Sequence, residues 1–313
     1  MYILTLGVCA KKRIGKIMCI GIYLAVSLNI FNVGDASMPK QTIVNHLARI
    51  RSKQPWMVMS AADEFCLAGS DHPTISHYYG FEAGHSAEPI FAIPDGCVDI
   101  LFDCDTTSPK AEVYGTPMEA MQIELIPKHR YFGVRFASGI MPDWLDVSAK
   151  DLIEQHVSFL SVATEAEQVF EAIVREPDFL SQVASFKDYF NGKKARHFSP
   201  LTIAALQYIF DHNGNVRIDE LEVITGYTTR TIQRQFLSDL GFSPKVFCRI
   251  VRCQSAVYAI NHKEITFSDM ACDLGFTDQS HFLKEFKKLV SATPLAYQDR
   301  VKQHTYLDKI HYC

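Results

Sequence analysis

The chain has nine cysteines, Cys9, Cys19, Cys66, Cys97, Cys104, Cys248, Cys253, Cys272 and Cys313, and no Cys-x-x-Cys pair. Scattered in this way they read as reduced, mostly buried thiols, which argues against a structural zinc site, a disulfide framework or the reactive cysteine cluster of a DNA-repair methyl acceptor. A basic excess is also missing: the net charge is −4, so a nucleic-acid partner has to be met by a local patch. The composition, 48% hydrophobic and 21% charged, is that of a globular protein without extensive disorder. With 313 residues there is chain enough for two domains with separate cores.

The amino-terminal segment stands apart. KKRIGK (Lys11 to Lys16) precedes the apolar run IMCIGIYLAVSLNIF (Ile17 to Phe31) and then the small-residue stretch GDAS. This is the grammar of a signal peptide or short anchor, although the run is short against the ~20 apolar residues of a bilayer span. The competing reading makes 1–37 an atypical extension with the working start near Met38. The first reading predicts an inner-membrane-anchored protein and the second a cytoplasmic one.

From Pro89 to about Ala137 the pattern is one of strands. PIFAIPDGCVDILFDCD places apolar runs on both sides of the turn signal Pro94-Asp95-Gly96, and VYGTP, MQIEL and YFGVRFASG follow at short intervals. That spacing predicts a small barrel or sandwich. ATEAEQVFEAIVRE (Ala163 to Glu176) and PDFLSQVASFKDYF (Pro177 to Phe190) are helical in period, NGKKARHFSP (Asn191 to Pro200) reads as a linker, and Ser199 to Arg300 is helical throughout. The expected class is α+β, with a β-rich barrel-like module ahead of an all-α domain. The expected divisions are an extension over 1–37, a sensor or dimerisation domain over 38–160, a helical connector and linker over 161–198, a DNA-binding domain over 199–302 and a tail over 303–313.

The last hundred residues contain a degenerate repeat. ELEVITGYTTRTIQRQFLSDLGFSPKVF can be laid on DMACDLGFTDQSHFLKEFKKLVSATPLAY. Gly226 matches Gly275 at an offset of 49, whereas Phe236 matches Phe286 and Pro244 matches Pro294 at an offset of 50. In each copy a short helix ends at the glycine, and Thr228 or Thr277 is expected to cap the next helix. Ser243-Pro244 and Thr293-Pro294 cap a further one. The unit is therefore a helix-turn-helix.

On the second helix of each unit Ile232 and Phe236, or Phe282 and Phe286, face inward. Arg230, Gln233 and Arg234 lie outside in the first copy; Asp278, Gln279, Ser280, His281 and Lys284 lie outside in the second. Arginine and glutamine bond bidentately to guanine and adenine edges in the major groove. Recognition helices use their first turns for those contacts, where these residues fall. Base contacts are expected from Arg230, Gln233, Arg234, Gln279 and His281. Thr228, Thr229, Thr277, Asp278, Ser280, Lys284, Lys287 and Lys288 complete the DNA-contacting set, with Thr228, Thr277 and the lysines as phosphate anchors. A polar helix face is often only solvated surface, and Leu201 to Arg300 holds 11 Lys and Arg against 11 Asp and Glu. Two copies sharing glycine, phenylalanine and cap positions are not explained that way.

The region from Ser199 to Arg300 resembles the DNA-binding domain of the AraC/XylS-type transcriptional regulators. The resemblance lies in LGFTDQSHFLKEFKK followed by TPLAY, in TGYTTRTIQRQF followed by GFSP, and in the joining helix KVFCRIVRCQSAVYAI with Arg249 and Arg252. It implies two recognition helices, Thr228 to Leu237 and Thr277 to Lys288, entering successive major grooves ~34 Å apart. It further implies double-stranded DNA as partner, with RNA polymerase joining it for an activator. Glu222 departs from the family's small alanine beneath the first recognition helix, and Ser291 replaces the glycine matched by Gly241, which implies a local backbone adjustment.

PDGCVDILFD and YFGVRFASG resemble, more weakly, the small β-rich (cupin-like) sensor domain of one branch of that family. This implies a module for a small-molecule effector or for homodimerisation. Asp95, Cys97, Asp99 and Arg135 at strand ends either line an effector pocket or hold turns. Cys66, His72, His77, His85, Cys97 and Cys104 lack the His-x-His plus carboxylate spacing of metal-binding barrels, so no metal, cofactor or catalytic residue is assigned. The competing functions are a membrane-tethered regulator using Ile17 to Phe31 and a metal-dependent β-barrel enzyme with a helical appendage.

Overall fold

The computed structural model describes residues 62–85, 89–263, 265–303 and 310–313. The extension over 1–37, its apolar run and the Met38 start lie outside them. Strands β1 (Ala62–Gly69), β2 (Ile75–Ala83), β3 (Ile90–Ala92), β4 (Asp99–Asp103), β5 (Lys110–Tyr114), β6 (Met121–Ile123), β7 (Arg130–Phe136) and β8 (His156–Ser158) come first. Helices α1 (Phe159–Val162), α2 (Ala166–Arg175), α3 (Phe179–Phe190), α4 (Pro200–Asp211), α5 (Ile218–Thr225), α6 (Thr229–Leu240), α7 (Pro244–His262), α8 (Phe267–Asp273), α9 (Gln279–Val290) and α10 (Pro294–Gln303) follow, with β9 (Ile310–Tyr312) last.

Seven strands form one sheet in the order β8-β5-β4-β7-β2-β1-β9, and β3 pairs with β6 in a separate ribbon. The strands on either side of Pro94-Asp95-Gly96 therefore do not form a hairpin: β3 joins the ribbon and β4 the main sheet. The chain is α+β, and the ribbon and sheet enclose a space between them in barrel-like fashion. Two of the longest strands, β1 and β2, fall in a stretch where no strand was expected. ISHYYGFEA is buried on nearly every residue, polar ones included, so no period-2 alternation marks it.

Alternation nevertheless governs the sheet. Tyr78, Ile100, Phe102, Val113, Phe132, Val134 and Phe136 belong to the core on one face. His77, Tyr79, Leu101, Glu112, Tyr114 and Arg135 look the other way, into the space under the ribbon. The first face is covered by α1–α3, through Phe159, Val169, Ile173, Val183 and Phe186. The stretch expected as a connector is thus part of the β-domain's own core. Its linker is pinned too: Ala195 bridges Pro142, and the Arg196 guanidinium donates to the Leu145 and Val147 carbonyls at 3.3 and 3.1 Å. The expected tail also contributes, because β9 pairs in parallel with β1.

Phe186 is fully buried against Phe102 and Tyr78. Phe186→Ala should therefore cost about 3–5 kcal/mol in denaturant unfolding, as for a truncated core aromatic. A true linker residue would change the midpoint little.

Candidate DNA-reading helices and an amino-terminal cavity

The first helix-turn-helix is α5 and α6, the second α8 and α9. In α6, Ile232 and Phe236 are fully buried, and in α9 Phe282 and Phe286 take the same inward positions. Arg230, Gln233 and Arg234 are exposed on α6. Thr277, Asp278, Gln279, Ser280, His281, Lys284, Lys287 and Lys288 are exposed on and before α9. Thr228 is exposed and caps α6, accepting from the Thr231 backbone N–H at 3.4 Å, while Thr229 is half-buried.

The two units differ at the turn. Thr277 does not cap α9; Asp278 does, its carboxylate accepting from the His281 N–H at 2.7 Å. The change of offset from 49 to 50 has its structural counterpart here, because the extra residue lengthens the turn and moves the cap by one. The glycine remains the stop signal. Gly226 and Gly275 both take φ near +70°, and a Cβ on Gly275 would lie 2.0 Å from the Asn215 side chain. At the far end of α9, Ser291 stays in the left-handed region of Gly241, with φ of 58° against 82°, so the backbone adjustment at the substitution is a small one.

Sequence reasoning left the bracing residues unassigned. Glu222 reaches from α5 to the start of α6, where its carboxylate accepts from the Thr229 backbone N–H. Hydrogen bonds from the Thr229 side chain and then its backbone hold the carboxyl below its ordinary range. In this way the start of α6 is tied down by an anion at its positive end. In the second unit Arg249 of α7 pairs with Glu285 of α9 at 2.8 Å, and the Arg252 guanidinium lies over the Phe276 ring at 4.9 Å. Lys288 meets the β-domain: its ammonium is 2.7 Å from Glu119, and its carbonyl accepts from the Ala120 N–H at 3.3 Å. These partners come from distant segments, so no local pattern announces them. Glu222 carried a signal, as a charge in place of a small residue, and Arg249 and Arg252 stood out only as part of the joining helix.

The structure also brings Asp95, Cys97, Asp99 and Arg135 together, lining a cavity of about 400 Å³ between the sheet and the ribbon. Arg135 stands directly across from Asp99 in the β4–β7 ladder. Its Nε and Nη2 each donate to the Asp99 carboxylate at 2.8 Å, and Nη1 is 3.1 Å from Asp95. Asp95 in addition closes a turn, accepting from the Cys97 N–H at 2.9 Å. Burial pushes the Asp99 carboxyl up in spite of Arg135, and it pushes the Cys97 thiol well up, so that thiol is unreactive. Phe65, Tyr79 and Phe81 supply aromatic wall. Among the described residues no group of three or more His, Cys, Asp or Glu side chains could hold a metal ion. No helix among them is long and apolar enough to cross a membrane.

Residues 223–300 match a family model described as a helix-turn-helix domain, and residues 72–158 match a domain of unknown function, DUF6597. The transcriptional activator RhaR of Enterobacter sp. (strain 638) is 28% identical over 74 residues, 24% of this chain and 26% of RhaR. The transcriptional regulator MtrA of Neisseria gonorrhoeae is 26% identical over 81 residues, 26% of this chain and 27% of MtrA. The chain thus spans about a quarter of the length of these two relatives. ToxT of Vibrio cholerae is similar at a TM-score of 0.37 and 15% identity, over 72% of this chain and 93% of ToxT. The carboxy-terminal region is a helix-turn-helix DNA-binding domain. More narrowly, that region resembles the DNA-binding domain of the AraC/XylS-type regulators, and the two relatives that match it are transcription regulators.

Two outcomes follow from the caps. Ser291→Gly should raise stability by about 0.5–1 kcal/mol in thermal unfolding, since glycine removes the left-handed strain and returns part of the gain as chain entropy. Glu222→Gln should lower the unfolding midpoint at neutral pH. The folded carboxyl titrates below its unfolded value of 4.5, so its contribution is present above that pH and fades as the pH falls through the folded value. Midpoints of the two proteins should converge on acidification.

Proposed function

We propose that the chain regulates transcription by binding a specific double-stranded DNA site, with α6 and α9 entering successive major grooves. The observation that carries this reading is the duplication: two capped helices, each with aromatic or aliphatic residues buried beneath and polar side chains exposed over the first turns. Arg230, Gln233, Arg234, Gln279 and His281 read base edges. Thr228, Thr229, Thr277, Asp278, Ser280, Lys284, Lys287 and Lys288 position the backbone, with the lysines supplying salt-dependent affinity. Asp278 does so indirectly, by shaping the start of α9. The amino-terminal part, over 38–160, acts as sensor, and the proposal places the protein in the cytoplasm. A second copy, and RNA polymerase for an activator, are further partners within the proposal.

Support for effector control comes from the segment around residue 119. Pro117 and Met121 line the cavity, while Glu119 and Ala120 between them hold the end of α9. A ligand that shifts the cavity wall shifts a partner of Lys288. A second route runs through α7, where the Gln254 amide donates to the Pro94 carbonyl at 2.7 Å, next to Asp95.

Selection of bound sites from random DNA is the direct test; recovery of no common motif would sink the reading. On a selected site Arg234→Ala should cost about 1–3 kcal/mol and relax preference at one base position. Lys287→Ala should weaken all sequences alike and reduce the salt slope by about one. Glu119→Gln, which frees Lys288, should tighten binding by no more than about 1 kcal/mol, the range of a half-exposed ion pair.

A further inference from the structure

The cavity carries a chemical preference of its own, and the inference drawn from it rests on the effector reading above. Its charged lining is unbalanced. Asp95, Asp99, Glu112 and Glu124 face it, against Arg135, Lys110 and the imidazoles of His77 and His156, the latter 3.8 Å from Glu112. On the floor, where Asp95 and Asp99 are largely buried, Arg135 is the guanidinium they share. Its Nε and both terminal nitrogens already point at these two carboxylates. A carboxylate or phosphate ligand would have to break that fork and enter beside two like charges, each step unfavourable in a buried site. Two carboxylates on one guanidinium instead leave the floor richer in carboxylate than in cation.

The walls suit the same kind of guest. Phe65, Tyr79 and Phe81 form a run of stacked rings, with centroids 5.9 to 6.4 Å apart. The Tyr79 hydroxyl donates to Asp99 at 3.2 Å, which places one of these rings next to the charged floor. Aromatic faces beside carboxylates attract a weakly hydrated cation, and a cavity of about 400 Å³ is of drug-sized volume. We propose that the cavity binds a cationic amphiphile, an ammonium head group on an apolar body, with the head against Asp95 and Asp99 and the body along the aromatic wall.

Calorimetric titration and thermal unfolding of the full chain with decyltrimethylammonium, decanol and decanoate, all below micelle-forming concentrations, test this. The ammonium should bind saturably, raise the unfolding midpoint and bind about tenfold or more tightly than decanol, with decanoate weakest. Asp99→Asn should weaken the ammonium by about tenfold and leave decanol unchanged. Preference for decanoate, equal binding of all three, or no binding at all would each overturn the ligand class. The comparison on the unaltered chain decides the matter even where Asp99→Asn does not fold. A separate arm measures affinity for the selected DNA site with the cavity saturated: unchanged DNA binding would leave the ligand class standing and sink effector control instead.

Discussion

The structure depends on one sheet serving two unlike neighbours. Because side chains alternate along a strand, every residue of β2, β4, β5 and β7 is committed to one face. Tyr78, Ile100, Phe102 and Phe132 meet α1–α3, while Tyr79, Asp99, Leu101 and Arg135 meet the cavity. A slip of one residue in β4 would send Asp99 into the aromatic core and Phe102 into the cavity. The β4–β7 register is held by a complete ladder from Asp99–Arg135 to Asp103–Tyr131, and the ion pair sits at its first rung. The polar floor therefore exists only because the apolar face is packed.

The cavity side is also where the β-domain meets the DNA-binding region. One buried cluster joins Phe65, Tyr79, Phe81 and Ile93 to Cys253, Val257, Phe282 and Phe286. Phe282 and Phe286 are the inward face of α9. The second helix-turn-helix thus shares its core with the sheet, whereas Ile232 and Phe236 of the first belong to the cluster built on the opposite face. The two copies, nearly equivalent as sequence, stand in different mechanical surroundings. Their braces differ accordingly: a carboxylate from the adjacent helix in the first, and Arg249 and Arg252 of α7 in the second.

Much was legible beforehand. The duplication, the glycine stops, the buried phenylalanines and the exposed polar turns are local properties, and helical periodicity carries them over short distances. Asp95, Cys97, Asp99 and Arg135 could be singled out because they lie at the ends of expected strands. The cap of α9 was misplaced by one residue because Thr277 and Asp278 are both good caps, and only the length of the turn chooses between them. Strand β2 escaped notice because burial on both faces erases the alternating pattern.

By itself the sequence determined a repeated helix-turn-helix, the faces of its helices and the α+β order of the chain, since each depends on neighbours a few residues apart. Only the tertiary structure decided that Glu119 pairs with Lys288, that 161–198 belongs to the sheet's core, and that two aspartates share one arginine at the floor of a cavity. Those are contacts between segments far apart in the chain. Their geometry is set by which faces must be buried together, and no local pattern of residues encodes that choice.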